Sequence, residues 1–187
     1  MAEESSLVRL QREYHLDLDW RGFELHPETP PGGERLADRY GERRFAEMSD
    51  RLRRFATSFG VEGMRIPERT PNTRKALAIA EWARDHGKLH AFRRAAMNAH
   101  WREGRDLEDD RVLEDLARSA GLDPEQALAA VSDPVYGARV GAMGSEAARA
   151  GVTGIPTFFI GGSKVVGCQP YGEIAAAAEA AGARRRG

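Results

Sequence analysis

Apolar and polar residues alternate between Leu16 and Leu25, and this two-residue period predicts a β-strand. Prolines and glycines crowd residues 26–33 and end the strand in an extended loop. From Arg35 to Phe59 the large apolar side chains recur at helical spacing, which predicts a helix with one buried stripe. Gly60 ends that helix, so the pattern changes from strand to helix early in the chain.

Residues 71–150 show helical spacing almost throughout, with glycine or Asp-Pro between the segments. Asp123-Pro124 and Asp133-Pro134 each place a capping acid before a proline at the first helical position. The stretch therefore predicts a block of helices. They are Asn72–His86, Leu89–Glu103, Asp109–Ala120, Asp123–Val131 and Pro134–Ala150.

The pattern returns to β-structure near the C-terminus. Short apolar strands are predicted at Thr157–Ile160 and Lys164–Gly167, joined by a Gly161-Gly162 turn that suits positive φ. An alanine-rich helix follows from Pro170 to about Ala181. With a helix-like run at Leu7–Tyr14, the predicted order is helix, strand, helical block, hairpin and helix.

Composition excludes several classes of partner. The 187 residues, 41% of them hydrophobic, suit one compact domain or a domain carrying an insertion. The 28 basic and 29 acidic residues give a net charge of −1, so we expect neither nucleic acid nor an anionic membrane as a partner. No apolar run reaches the roughly 20 residues of a membrane span, and the start, with Glu3 and Glu4, is unlike a signal peptide. We therefore expect a cytoplasmic protein.

The segment from Gly151 to Gly167 is the most informative, because Val-Thr-Gly-Ile-Pro-Thr-Phe leads into an apolar strand and a Gly-Gly turn. It resembles the second half of a thioredoxin domain, and more closely the DsbA-like family of the FrnE type. Members of that family are thiol–disulfide oxidoreductases with a helical insertion, and the resemblance runs from Trp20 through Gly182. It implies an α/β, thioredoxin-like fold with a large all-helical insertion. Residues 1–33 and 151–187 would form the thioredoxin-like part, and residues 34–150 the insertion.

The same resemblance implies a binding site around a proline. Pro156 is expected to be cis, with Ile155 and Thr157 flanking a shallow groove able to bind an extended peptide or a thiol ligand. Asn72 lies in the turn that opens the helical block, where similar proteins also have an asparagine-bearing turn. We expect it to cap the next helix and to face the groove.

The dithiol of the family is missing from this sequence. Family members open with a strand and Cys-Pro-x-Cys at the start of a helix, where the helix dipole lowers the pKa of the first thiol. Here Met1 to Ser6 precede the first helix-like run and hold no cysteine; Cys168 is the only one in the chain. No intramolecular dithiol can therefore form.

The resemblance also implies a strand before the first helix, inside the sheet, and this sequence has none. The missing strand indicates either a shortened gene product or an assembly. An interior strand cannot be lost without leaving backbone groups unpaired. Leu16–Leu25 is thus expected to pair directly with Thr157–Ile160, or the open edge to be filled by a partner. A homodimer is the preferred partner, because Leu18, Trp20 and Phe23 offer apolar surface.

Cys168 is the weak catalytic candidate, with two interpretations. It either packs as a small hydrophobe, or it lies near the N-terminus of the last helix, where a thiol pKa can be lowered. Packing is favoured, because no basic partner can be identified. His86 and His90 are four residues apart, but Gly87 interrupts the helix and no matching ligand occurs, so no metal site is predicted. No cofactor motif is found, and no cofactor is expected.

Three functions remain open. The first is disulfide exchange on protein or small-molecule thiols by a FrnE-like homologue that is inactive as a dithiol enzyme in this form. The second is a non-catalytic thioredoxin-like binding module that uses the proline groove or the open sheet edge. The third is a glutathione-dependent isomerase of the kappa or 2-hydroxychromene-2-carboxylate type. That family uses a serine after the same missing strand.

Overall fold

The computed structural model describes residues 4–187, and helices dominate it. The first helix, α1 (Glu4–Glu13), begins inside the Met1 to Ser6 lead-in, of which residues 1–3 lie outside the described part. The remaining helices are α2 (Leu36–Tyr40), α3 (Glu42–Ser58), α4 (Arg74–Asp85), α5 (Leu89–Asn98), α6 (Asp110–Ser119), α7 (Pro124–Ser132), α8 (Pro134–Arg149) and α9 (Tyr171–Ala180), with a π-helical turn at Ala99–Glu103.

The predicted helical block is confirmed, and the predicted caps at Asp123 and Asp133 form, with a further one at Asp109. Asp109, Asp123 and Asp133 accept hydrogen bonds from the backbone amides of Arg111, Gln126 and Val135 respectively. Each bond satisfies an amide that has no partner inside its own helix. Helices α4 to α8 are therefore bounded within two residues of the predicted positions, except that the predicted Leu89–Glu103 helix ends in the π-helical turn.

The strands of the described residues form three separate antiparallel pairs. Strand β1 (Tyr14–His15) pairs with β6 (Arg184–Arg185), and β2 (Glu34–Arg35) pairs with β3 (Arg69–Thr70). Strand β4 (Thr157–Ile160) pairs with β5 (Ser163–Val166), with Thr157 opposite Val166 and Ile160 opposite Ser163. The predicted hairpin is confirmed, with β5 beginning one residue earlier than expected.

The predicted strand Leu16–Leu25 is wrong, and so is its pairing with Thr157–Ile160. Residues 16–25 form no strand, and no backbone–backbone hydrogen bond involves them. Their side chains nevertheless follow the alternation, since Leu16, Leu18 and Trp20 pack onto a hydrophobic cluster. One face of this segment is therefore buried although no described strand pairs with it.

The single helix predicted from Arg35 to Phe59 is divided in two at Gly41, whose φ of 82° no helical residue adopts. Part of its stripe is also exposed, contrary to the prediction: Met48, Leu52 and Phe55 face solvent. Helix α3 packs mainly against α2, so only its Ser49 and Ala56 side is covered.

Two apolar clusters stabilise the described residues. The helical core is built by α4 to α8 around Ile79, Phe92 and Leu113. The terminal core joins α1 and α9 through Leu7, Leu10, Tyr14 and Ile174. Phe158 and Ile160 of β4 pack onto the terminal core, and so do Leu16, Leu18 and Trp20. The predicted α/β class with a large helical insertion is confirmed, while the boundaries at residues 33 and 150 stay a prediction.

Candidate functional site

The loop that enters β4 contains the residues predicted to bind a ligand. The Ile155–Pro156 peptide bond is cis. The Thr157 hydroxyl donates to the Gly154 carbonyl at 2.6 Å, and the Gly167 amide donates to the Pro156 carbonyl at 2.7 Å. These two bonds fix the loop on both sides of the proline. Ile155 keeps 52% of its surface exposed, whereas Pro156 and Thr157 are half-buried.

The outer face of the hairpin continues this apolar surface. Phe158 and Ile160 point inward to the terminal core, so their neighbour Phe159 points outward and is 56% exposed. Val166, opposite Thr157, is exposed on the same face. Ile155, Phe159 and Val166 are thus large apolar side chains in contact with solvent on the proline loop and the hairpin.

Cys168 lies between β5 and α9 and is half-buried. The preceding residue, Gly167, donates its amide to the Pro156 carbonyl. Cys168 is therefore adjacent in sequence to the residue that is hydrogen-bonded to the proline. Helix α9 begins three residues later, at Tyr171. The sequence argument that no intramolecular disulfide can form stands, because the chain has one cysteine.

Asn72 makes its side-chain hydrogen bonds to Thr29 and to the start of α4. Its side-chain oxygen accepts from the Arg74 amide at 3.0 Å, and its nitrogen donates to the Thr29 carbonyl at 2.7 Å. The first bond is the predicted cap at the start of α4; the second ties the loop at residues 29–33 to the helical block. No hydrogen bond in the described residues joins Asn72 to Ile155, Pro156 or Thr157, and its role in ligand binding stays a prediction.

Sequence analysis missed a group of charged side chains between the N-terminal segment, α4 and α8. Arg84 donates to Glu81 at 3.1–3.2 Å, to Asp19 at 2.9 Å, and to the Trp20 carbonyl. Glu81 is almost fully buried. The sequence held one signal for this group, since Glu81 is an acidic residue among the apolar positions of α4. The group borders a shallow groove of about 300 Å³, with charged lining residues Arg21, Glu81, Arg84, Asp85, Arg139 and Glu146.

Electrostatics favour the ionised form of Asp19 and of Asp85 in this group. Partial burial raises the pKa of Asp19, but hydrogen bonds and charges from Arg21 and Arg84 outweigh it and hold the pKa below its usual value. The hydrogen bond from Arg139, at 2.7 Å, likewise lowers the pKa of Asp85. Every acid here has an arginine partner, which is the arrangement of a structural network.

A second polar group ties the two helices of the terminal core together. The Tyr14 hydroxyl donates to Glu179 at 2.5 Å, and the Tyr171 hydroxyl donates to Glu13 at 2.5 Å. Burial and the hydrogen bond to the Glu13 carboxylate raise the pKa of Tyr171 to about 12. These reciprocal bonds hold α9, and with it the loop of Cys168, against α1.

The histidines are dispersed. His86 Nδ1 contacts the Trp82 carbonyl at 2.8 Å at the end of α4, and His90 lies edge-on to Trp20. Burial lowers the pKa of His100, which lies in the π-helical turn beside Trp101. No group of three or more His, Cys, Asp or Glu side chains suited to a metal ion occurs among residues 4–187.

The profile of the DSBA-like thioredoxin domain family matches residues 1–179. The chain therefore belongs to this family, and its thioredoxin-like fold with a helical insertion is confirmed. The match includes the loop of Pro156 and the hairpin, yet the sequence contains no Cys-x-x-Cys.

Two solved structures are similar to this chain. A probable DsbA oxidoreductase from Streptomyces coelicolor shares 28% identity at a TM-score of 0.74, with 86% of this chain and 73% of that chain covered. A candidate protein disulfide isomerase from Nitrosomonas europaea matches at 13% identity and a TM-score of 0.64, with 74% of each chain covered, and supports the fold alone. No curated protein matches the chain.

None of the helices within residues 4–187 is long and apolar enough to cross a bilayer.

Proposed function

We propose that this chain is a FrnE-like homologue of the DsbA thiol–disulfide oxidoreductases that has no dithiol activity in this form. The family match over residues 1–179 carries the proposal. The order of the elements supports the FrnE type, because the helical block separates the N-terminal segment from the proline loop and hairpin. The single cysteine limits the chemistry.

The chemistry open to one thiol is the formation of mixed disulfides. The Cys168 thiolate attacks one sulfur of an external disulfide, a new S–S bond forms, and the other sulfur leaves as a thiolate. Without a second cysteine, the chain cannot release the bound group by internal attack. External protein or small-molecule disulfides are therefore the covalent ligands, and release of the bound group requires attack by an external thiol.

Two measurements test this proposal. In an insulin-reduction assay with dithiothreitol, the chain and its Cys168→Ser variant should both match the rate without protein. After incubation with oxidised glutathione, mass spectrometry should find one added glutathione on the chain and none on the variant. Insulin turnover above background that Cys168→Ser abolishes would contradict the proposal.

A non-catalytic binding module is the second candidate, favoured by the exposed apolar residues around the proline loop. Ile155 and Phe159 remain more than half exposed although Pro156 and Thr157 between them are half-buried. Such a surface fits an extended peptide. Binding of an extended apolar peptide that leaves the redox state of Cys168 unchanged would support this function.

The proposed setting of either function is the cytoplasm, since a chain with one cysteine needs no oxidising compartment.

We also retain the homodimer as a proposal. Cell fractionation and sedimentation at micromolar concentration test the two points separately.

A further inference from the structure

Helix α3 carries an apolar stripe that the described residues leave largely uncovered. Phe45, Met48, Leu52, Phe55 and, just after the helix, Phe59 follow one another at alternating intervals of three and four residues. The three central side chains are 36–45% exposed. Spacing of three and four over two heptads places apolar side chains along one seam of a helix, and such a seam packs against a second helix.

The neighbours of α3 leave this seam open. The helix has 17 residues and packs mainly against α2, which has five. Its buried residues are Ser49 and Ala56, two small side chains to one side of the stripe. Most helical stability in a protein comes from packing of the apolar face. A partner that covers the large side chains of the stripe would therefore stabilise α3.

Arginines line the other side of the stripe. Arg44 and Arg51 are one heptad apart and precede Met48 and Phe55 by four residues, so the four side chains form one row on the helix surface. Arg44 lies 5.9 Å from the centroid of the Tyr40 ring. Within residues 4–187, neither arginine has a carboxylate within ion-pair distance. The row therefore has two positive charges available to an external carboxylate.

The acids of α3 do not neutralise this row. Glu42, Glu47 and Asp50 lie 3.4, 3.8 and 2.8 Å from Arg35, Arg43 and Arg53 respectively. Glu47 is the acid nearest to the row in the helix, and its ion-pair partner lies outside the row. The apolar stripe is therefore bordered by a surplus of positive charge.

We propose that α3 binds an amphipathic helix of another protein, with apolar residues at its a and d positions and carboxylates beside them. The apolar residues of the partner would pack on the stripe, and its carboxylates would pair with Arg44 and Arg51. Neither Cys168 nor Pro156 takes part. The proposal thus goes beyond the proposed function and is tested separately from it.

The charges favour such a helix over a second copy of this chain. Two copies of α3 related by a two-fold axis would bring Arg44 and Arg51 of one copy beside the same residues of the other. Like charges at an interface are unfavourable. An acidic helix turns this repulsion into attraction.

An anionic membrane is also less suited to α3. Five arginines and three acids leave the helix a net charge of +2, and each basic side chain contributes only about 1 kcal/mol at an anionic surface. Met48, Leu52 and Phe55 are each less than half exposed, so they insert poorly into lipid.

Binding of a designed helix tests the proposal. The probe is a fluorescent, capped three-heptad peptide with leucine at a and d and glutamate at e and g, measured by anisotropy with the full chain. A second peptide has lysine in place of every glutamate. The like charges keep each peptide from pairing with itself. The glutamate peptide should bind at least about tenfold more tightly than the lysine peptide.

Variants of the chain show where the peptide binds. Leu52→Ser, in the middle of the stripe, should weaken binding of the glutamate peptide at least about tenfold. Arg44→Glu with Arg51→Glu should reverse the preference, so that the lysine peptide binds more tightly. Circular dichroism establishes that each variant folds; if Leu52→Ser does not, the charge variants decide.

A matched control makes the same change of charge on the opposite face of α3. Arg43→Glu with Arg54→Glu should leave the preference for the glutamate peptide intact, because these exposed side chains point away from the stripe. A salt concentration of about 0.15 M screens charges across the width of the helix.

Several results would overturn the proposal. One is equal binding of the two peptides, or no binding up to millimolar concentration; another is reversal of the preference by the control variant. A dimer that Leu52→Ser dissociates would show that a second copy covers the stripe. Cosedimentation with phosphatidylserine vesicles that Leu52→Ser abolishes, without peptide binding, would show a membrane surface. The glutathione test of Cys168 is independent of all four.

Discussion

Glu81 is the buried charge on which the contact between the N-terminal segment and the helical block depends. It is 6% exposed on α4, and Arg84 is its ion-pair partner. Arg84 also binds Asp19 and the Trp20 carbonyl, so one guanidinium neutralises the buried acid and fixes residues 19–20. Loss of the arginine would leave a carboxylate in the interior without compensation.

Arg84→Ala should therefore lower the free energy of unfolding by about 2–3 kcal/mol. This is less than the loss expected for a fully buried pair, because the arginine itself is partly exposed. Urea denaturation measures the change. Arg84→Ala combined with Glu81→Gln should recover part of the loss, because the neutral amide costs less to bury.

Arg118→Ala is the control for this prediction. Arg118 pairs with Asp115 at 2.8 Å, but both side chains are exposed. The expected loss is below about 1 kcal/mol. Equal effects of the two arginine substitutions would show that Glu81 does not depend on its partner.

At this scale, residues with a distinctive chemistry could be predicted from the sequence and those defined by their surroundings could not. Pro156 was identified by the motif Val-Thr-Gly-Ile-Pro-Thr-Phe that precedes the hairpin. Cys168 was identified because it is the only cysteine in the sequence. The cap formed by Asn72 follows from its position before a helix. The burial of Glu81 depends on the packing of α4 against distant residues, which no local pattern contains.

Among the elements, the hairpin was predictable because its signals are local. The Gly161-Gly162 turn fixes both register and strand ends, and β4 has the predicted bounds. The segment 16–25 has an equally clear alternation, but a strand also needs a neighbour, and alternation specifies only which face is buried. Gly41 likewise divides a helix whose apolar spacing continues across it.

The turn glycines offer a prediction about the hairpin. Gly161 has φ of 57°, and a Cβ there would lie 2.7 Å from the Cβ of Ala181. Gly161→Ala should lower the free energy of unfolding by about 2 kcal/mol, from strain at positive φ and overlap with the residue after α9. Thermal and urea denaturation both report this change.

Gly162→Ala is the matched substitution in the same turn. No heavy atom lies within 4 Å of a Cβ at Gly162. Its effect should stay below about 1 kcal/mol. The prediction is wrong if alanine is tolerated equally at both positions.

For the whole molecule, the two cores indicate two cooperative units. We propose the division already predicted, with residues 34–150 as the insertion and residues 1–33 and 151–187 as the thioredoxin-like part. The helical core comes from one continuous stretch of chain, whereas the terminal core joins the two ends of the described residues. The second unit also contains the unpaired edge of β4.

Hydrogen exchange should separate the two units. Amides of α4 and α6 should exchange at least about a hundredfold more slowly than those of Phe159 and of residues 16–20, which lack backbone partners. Peptide-resolved mass spectrometry at neutral pH provides the comparison. Uniform protection across these segments would show a single cooperative unit.

The pairing of β1 with β6 has a consequence for synthesis. Tyr14 lies opposite Arg185, and the Arg186 amide donates to the Glu13 carbonyl at 2.8 Å. A ribosome translating this chain makes α4 to α8 before any residue of β6 exists, so the helical core can fold while translation continues. Helix α1 must wait for the last residues before it gains this partner, and until then its apolar face is available to chaperones.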